Sequence, residues 1–193
     1  MHNKISTKYN LILGSSSARR KKLLNEMGFV FSIIYSEEEE VYPIDLELKK
    51  VASYLAEKKS DHLYYQLGEK DLLITADTTV IANNKILNKP KDNQKAENIL
   101  KQLSNNTHSI ITGVCLRTKD RKITFSEQTT VKFYPLNKED IRYYIKTFNP
   151  YDKAGSYGIQ EWIGHIGIKH INGSYTNAVG LPTSKLYQKL NEF

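Results

Sequence analysis

The sequence predicts a mixed α/β fold, a curved sheet flanked by helices with two lobes around a central cleft. Three observations carry that expectation. Leu11-Ile-Leu-Gly14 is a short apolar run that opens into Ser15-Ser-Ser-Ala-Arg-Arg20 and then a helix. Two stretches carry an apolar face at helical spacing, through Leu48, Val51, Ala52, Leu55 and Ala56 and again through Ala96, Ile99, Leu100 and Leu103. His108 to Thr118 and Lys122 to Phe133 read as two long strands joined by Lys119-Asp120-Arg121, hence a hairpin.

Taken in order, Ile12 to Gly14 ends the first strand, and a helix over 18–27 is closed by Gly28. Val30 to Tyr35 forms a second short strand. Pro43-Ile-Asp45 opens a helix that runs to about Lys59, and Leu63 to Gly68 matches neither pattern. Asp71 is a turn residue before Leu72-Leu-Ile-Thr-Ala76, a short apolar run suited to a central strand. Val80 to Ala82 and Lys85 to Leu87 flank Asn83-Asn84, a tight-turn signal. Asp92 is placed to cap a helix through Leu103. A helix from about Lys138 to Thr147 precedes a Gly-rich region over 153–180. Pro182 then begins a last helix that ends near Leu190. There is no internal repeat, low-complexity tail or flexible linker.

Composition narrows the class of protein. A content of 39% hydrophobic and 25% charged residues is that of a folded chain. No apolar run approaches the roughly 18 residues that span a bilayer, and Met1-His-Asn-Lys-Ile-Ser lacks the apolar stretch of a secretory signal. The single cysteine, Cys115, excludes an intrachain disulfide, which fits a reducing compartment. It lies in an expected strand with no base nearby, so a buried structural use is expected. His165 and His170 lack metal-ligand spacing, so zinc is not expected. The net charge of +7 admits nucleic acid, an anionic surface or a small polyanion. Its distribution argues against nucleic acid: Arg19-Arg-Lys-Lys22 is followed by Glu37-Glu-Glu-Glu40, and no basic platform spaced by aromatics appears.

The turn after the first strand is the most informative stretch. Short hydroxyl side chains, freed backbone N–H groups and two guanidiniums converge where a strand becomes a helix, which is how a phosphate-binding corner is built.

Further motifs follow in order: Ala76-Asp-Thr78, Asn88-Lys-Pro90, Asp152-Lys-Ala-Gly-Ser-Tyr-Gly-Ile-Gln160, Gly173-Ser-Tyr175 and Val179-Gly-Leu-Pro182. With Ser15-Ser-Ser-Ala-Arg-Arg20 they make the chain, from about Leu11 to Leu190, resemble the Maf family of nucleoside triphosphate pyrophosphatases. The resemblance implies one Maf-like domain over residues 1–193. It implies the elongated mixed sheet and central cleft of the inosine-triphosphate pyrophosphatases (the Maf/Ham1 fold). It also implies hydrolysis of a nucleoside triphosphate to the monophosphate and pyrophosphate, a divalent cation (Mg²⁺ or Mn²⁺), a cytoplasmic location and a homodimer.

Carried over residue by residue, the phosphate-binding groups implied are Ser15, Ser17 and Arg20, with Arg19 beside them. The acidic residue before the second helix falls at Glu40, because Glu38-Glu39-Glu40-Val-Tyr-Pro43 matches the usual Val-Asp-Glu-x-Tyr-Pro except at Glu38 and Glu39. A lysine near the end of that helix falls at Lys59, the catalytic acid at Asp77 and a second lysine at Lys89. Arg20, Thr78 and Gln160 match the branch acting on thymidine and uridine triphosphates. Ala18 stands where the family has proline, which removes a turn constraint but no charge or hydroxyl.

The chemistry implied is consistent with those groups. Arg20 forks onto phosphate oxygens while Ser15 and Ser17 take others. Lys59 and Lys89 offset charge on the phosphates or the leaving group. The hard carboxylate oxygens of Glu40 and Asp77 suit Mg²⁺ or Mn²⁺. Asp77 is assigned as general base, with a metal-ligand role overlapping it. Gln160 offers a donor and an acceptor to a pyrimidine edge, and Thr78 a smaller polar contact. Asp152 and Lys153 are either site groups or an ion pair that fixes their loop. Two alternatives stand beside this reading: a pyrophosphatase for other modified or noncanonical nucleotides, and a non-catalytic nucleotide- or nucleic-acid-binding division regulator. A P-loop kinase or NTPase fits less well, because no Gly-x-x-x-x-Gly-Lys-Ser/Thr run exists.

Overall fold

The computed structural model describes residues 3–35 and 40–193. In chain order its elements begin with α1 (Asn3–Lys8), β1 (Asn10–Gly14), α2 (Ala18–Glu26), β2 (Phe31–Ile34), α3 (Val51–Leu63), β3 (Asp71–Ala82) and β4 (Lys85–Ile86). They continue with α4 (Asn93–Leu103), β5 (Thr107–Arg117), β6 (Lys122–Phe133) and α5 (Lys138–Phe148). The last are α6 (Trp162–Gly167), β7 (Ile168–Asn172), α7 (Tyr175–Val179) and α8 (Thr183–Leu190). The described strands order as β2-β1-β3-β5-β6-β7, with β4 on β3. Pairing is mixed: β1 runs parallel to β2 and β3, while β4 on β3 and β7 on β6 are antiparallel. The expected α/β class with a mixed sheet is therefore observed. β5 and β6 are neighbours joined by a turn in which Thr118 N–H donates to Arg121 C=O at 2.8 Å, the expected hairpin.

The chain packs as two compact units of discontinuous segments. The first comprises Met1–Asp77, Thr112–Glu127 and Gly180–Phe193; the second comprises Thr78–Ile111 and Gln128–Val179.

In the first unit, Leu11, Ile12 and Leu13 of β1 are buried, with Leu13 opposite Ile74 of β3. α2 begins at Ser17, whose Oγ accepts the Arg20 N–H at 3.5 Å, and the chain turns away at Gly28 with φ 80°. The helix expected from Pro43 starts later. Residues 43–46 form a turn closed by Leu46 N–H on Pro43 C=O at 3.1 Å, then a 3₁₀ turn over Leu48–Lys50 leads into α3. Ile44 is fully exposed, so no burial holds that segment as helix; Leu48 is half-buried, and the periodic apolar face is fully buried only from Val51. α3 then runs past the expected end at Lys59 to Leu63, which is buried.

Two contacts seat α3 on the sheet. Thr75 Oγ1 donates to Ala56 C=O at 2.6 Å. At Gly113 of β5, a Cβ would lie 2.3 Å from Ser53 N and 2.4 Å from Ala52 C, so only glycine allows the helix backbone this close. Lys59, one turn beyond Ala56, is thereby placed against β3.

The second unit packs Val80, Leu100, Phe133, Tyr144, Tyr157 and Ile163 into its core. α4 is capped by Asp92, which accepts Lys95 N–H at 2.7 Å, and α5 by Asn137, which accepts Asp140 N–H at 2.7 Å. β3 departs from expectation. The predicted break between Ala76 and Val80 is absent, and the strand runs unbroken over Asp71–Ala82 before turning at Asn83 (φ 49°) and Asn84 (φ 58°). The region 153–180 also holds more structure than its glycines predict. Besides α6, β7 and α7, its ends are fixed by tertiary bonds such as Asn177 Nδ2 to Thr129 Oγ1 at 2.8 Å and to Ile110 C=O at 3.2 Å. α1 is a further unpredicted element, and it buries Ile5. Pro182 precedes α8 as expected.

Candidate active site

The turn from β1 into α2 gathers the first group of predicted residues. Ser15 Oγ accepts the Ser17 N–H at 3.3 Å and the Arg20 Nη1 donor at 3.2 Å. Arg20 Nε donates to Gly180 C=O at 2.9 Å, so two bonds orient the guanidinium plane. Burial pushes the Arg20 guanidinium below its ordinary value; the Asp77 carboxylate opposes that, Arg19 adds to it and Glu40 opposes it. Arg20 stays charged, as guanidiniums in proteins do, and Arg19 beside it is half-buried.

A second group meets at Lys59. Its Nζ lies 2.5 Å from Asp77 Oδ1 and 3.1 Å from Glu40 Oε1. Asp77 sits in the middle of β3 with only 5% of its surface exposed, whereas Glu40 faces solvent. A buried carboxylate is costly unless paired, and the ammonium from α3 supplies that pairing. One oxygen from each carboxylate thus converges on a single cationic point. No group of three or more His, Cys, Asp or Glu suited to a metal occurs among the described residues. Glu37, Glu38 and Glu39, the other members of the acidic run, lie outside the described residues.

The remaining predicted residues belong to the second unit. Thr78 follows Asp77 along β3, is half-buried, and by strand alternation faces the opposite side. Lys89 is exposed in the segment after β4. Gln160 is half-buried, and its Oε1 is buried with no hydrogen-bond partner among the described residues. The choice left open at Lys153 resolves to an ion pair. Its Nζ lies 2.7 Å from Asp152 Oδ1 and 3.2 Å from Glu161 Oε1, and the residue is 7% exposed. Cys115 is fully buried, and burial pushes its thiol up, away from the thiolate a nucleophile needs.

Three contributors escape the sequence reading. The Gly180 carbonyl, which receives Arg20, had a signal in Val179-Gly-Leu-Pro182, where φ of 130° at Gly180 requires glycine. Tyr144 and Glu161, which close the Gln160 segment, had none.

Two serines and an oriented guanidinium at the start of a helix, beside a lysine shared by two carboxylates, give this α/β protein a corner whose donors can take an anion. The family model described as Maf-like protein matches residues 10–193, and the chain belongs to the Maf-like family. It is 42% identical over 187 residues to the dTTP/UTP pyrophosphatase of Parabacteroides distasonis, covering 96% of this chain and 97% of that protein. It is 45% identical over 177 residues to the dTTP/UTP pyrophosphatase of Flavobacterium psychrophilum, covering 92% and 91%. The solved structure of the Staphylococcus aureus Ham1 protein matches at TM-score 0.40 and 11% identity over 64% of this chain and 71% of that one, too slight a likeness to carry an argument.

Proposed function

We propose that this chain is a dTTP/UTP pyrophosphatase, acting as one Maf-like domain over residues 1–193 and converting dTTP and UTP to the nucleoside monophosphate and pyrophosphate. The observation that carries the reading is the Asp77–Lys59–Glu40 cluster beside the Arg20 corner, in a chain whose relatives bear that activity in their names.

Water attacks the α-phosphorus and the bond to the β-phosphate's bridging oxygen breaks, so a base, a phosphate clamp and leaving-group stabilisation are needed. Arg20, Ser15 and Ser17 take phosphate oxygens, with Arg19 adding positive charge. Asp77, held rigidly inside β3, accepts the proton of the attacking water. Lys59 and Lys89 neutralise charge that accumulates on the pyrophosphate. Two carboxylates aimed at one cationic point fit a hard divalent ion, since Mg²⁺ commonly takes one or two carboxylates and completes its shell with phosphate and water. Glu40 and Asp77 would hold it, and it would supply charge neutralisation at the phosphates and a more acidic water.

Base selection falls to Gln160. The Gln160 Oε1 lacks a partner among the described residues, and an unmet buried acceptor costs about 1–3 kcal/mol. Uracil and thymine share a ring N–H that satisfies it, and the Gln160 amide N–H₂ matches their carbonyl. The homodimer and the cytoplasmic location belong to the same proposal. Among the described residues no helix is long and apolar enough to cross a membrane.

The test is a panel of dTTP, UTP, dITP and methylated GTP with Mg²⁺ and identification of the products. Pyrophosphate released fastest from dTTP and UTP is the expected result. Comparable turnover of dITP or methylated GTP would reject the pyrimidine preference, and nucleotide binding without pyrophosphate release would point to a non-catalytic regulator.

A further inference from the structure

Gln160 can read a base only if its amide is held still, yet residues 157–161 lie outside any helix or strand. Tyr144 of α5 supplies the anchor. It is fully buried, with its ring stacked on Phe148 at 5.1 Å between centroids. Its hydroxyl accepts the Gly158 N–H at 3.0 Å and donates to Glu161 Oε2. The other Glu161 oxygen lies 3.2 Å from Lys153 Nζ, which also pairs with Asp152. One phenol therefore ties the segment on both sides of Gln160. Burial first, and the bond to Glu161 next, push the Tyr144 phenol above its ordinary value, so it keeps the proton it donates.

Gly158 carries that restraint to the amide. A Cβ at position 158 would lie 2.9 Å from Gln160 Nε2 and 2.7 Å from Glu161 Cδ, so both side chains pack directly on the glycine that Tyr144 holds. A side chain at 158 would displace both ends from these positions.

We propose that Tyr144 is a positioning residue for base selection, its hydroxyl setting the Gln160 amide through Gly158 and Glu161. The proposal rests on the dTTP/UTP reading above. Tyr144→Phe removes the hydroxyl and keeps the ring stacked on Phe148. The expected result is a rise of about tenfold in KM for dTTP and UTP, a smaller change in kcat, and a fall of about tenfold in the preference for dTTP over dCTP, whose ring nitrogen is an acceptor where thymine has its N–H. Glu161→Gln keeps the shape but weakens the bond to the phenol, and shifts the same preference in the same direction by less.

An unchanged preference in folded Tyr144→Phe protein overturns the proposal, as does an equal loss on all substrates accompanied by a lowered Tm. If Tyr144→Phe does not fold, Glu161→Gln decides by the same ratio. Amide hydrogen exchange at Gly158 in the parent protein tests the anchor without any substitution: slow exchange is expected, and exchange at the rate of an exposed amide overturns it. If the parent releases no pyrophosphate from dTTP, the functional reading fails while the Gly158 measurement still judges the anchor.

Discussion

Lys59 Nζ lies 2.5 Å from Asp77 Oδ1, which places an α3 ammonium against a carboxylate buried in the interior of β3. The same nitrogen reaches Glu40 at 3.1 Å. This shared cation makes a buried carboxylate tolerable in the interior of β3.

Lys59→Met should therefore lower stability by about 3 kcal/mol, because it strands a buried charge beside a second carboxylate. Mg²⁺ should recover part of that loss and raise the Tm of the variant more than that of the parent. Urea unfolding with and without Mg²⁺ checks both statements. Equal stability of variant and parent without metal would contradict them.

His108 makes the second unit sensitive to acid. It is 2% exposed, stacked on Phe133, with Nε2 2.6 Å from the Tyr157 hydroxyl. Burial lowers its pKa from 6.5 to about 4. Between those values the unfolded chain binds a proton that the native protein does not. The stability is fully present above pH 6.5 and is lost as pH falls through this window, by about 3 kcal/mol in all. Unfolding free energies of His108→Phe and the parent at pH 7 and pH 4.5 should show a shallower dependence in the variant. Parallel pH profiles would contradict the assignment.

Gln160→Ala should change which nucleotide is preferred while leaving the Mg²⁺ dependence alone. The expected loss is about tenfold in kcat/KM for dTTP relative to dCTP, whose ring nitrogen cannot donate to the Gln160 amide oxygen, the scale of one buried hydrogen bond. Titration of Mg²⁺ at fixed nucleotide, alongside the substrate ratio, separates the two effects. Unchanged ratios would remove Gln160 from base selection.

Local chemistry was legible where it was self-contained. Ser17 and Asp92 cap the helices expected after them, and Asn83-Asn84 makes the expected turn, because these bonds span three residues or fewer. Asp77 was misplaced by the same logic. Its polarity, with Thr78 and Thr79, reads as the end of a strand until Lys59, eighteen residues away, is known to neutralise it. The start of α3 was misjudged because Pro43 signals a helix start whose residues are not buried. At the candidate site, Ser15, Ser17 and Arg20 were visible as one run, and Glu40, Lys59 and Asp77 through family resemblance. The tie from Tyr144 to Gly158 and Glu161 joins a helix to an irregular segment, and no local spacing announces such a contact.

In the proposed reaction Asp77 serves the attack of water on a nucleoside triphosphate. The most direct measurement is hydrolysis of dTTP by the parent and by Asp77→Asn, with products resolved and folding monitored by Tm. The parent should yield dTMP and pyrophosphate, and the variant should remain folded but lose about 100-fold or more in kcat. A folded variant with near-parental turnover, or a parent that releases phosphate in place of pyrophosphate, would contradict it.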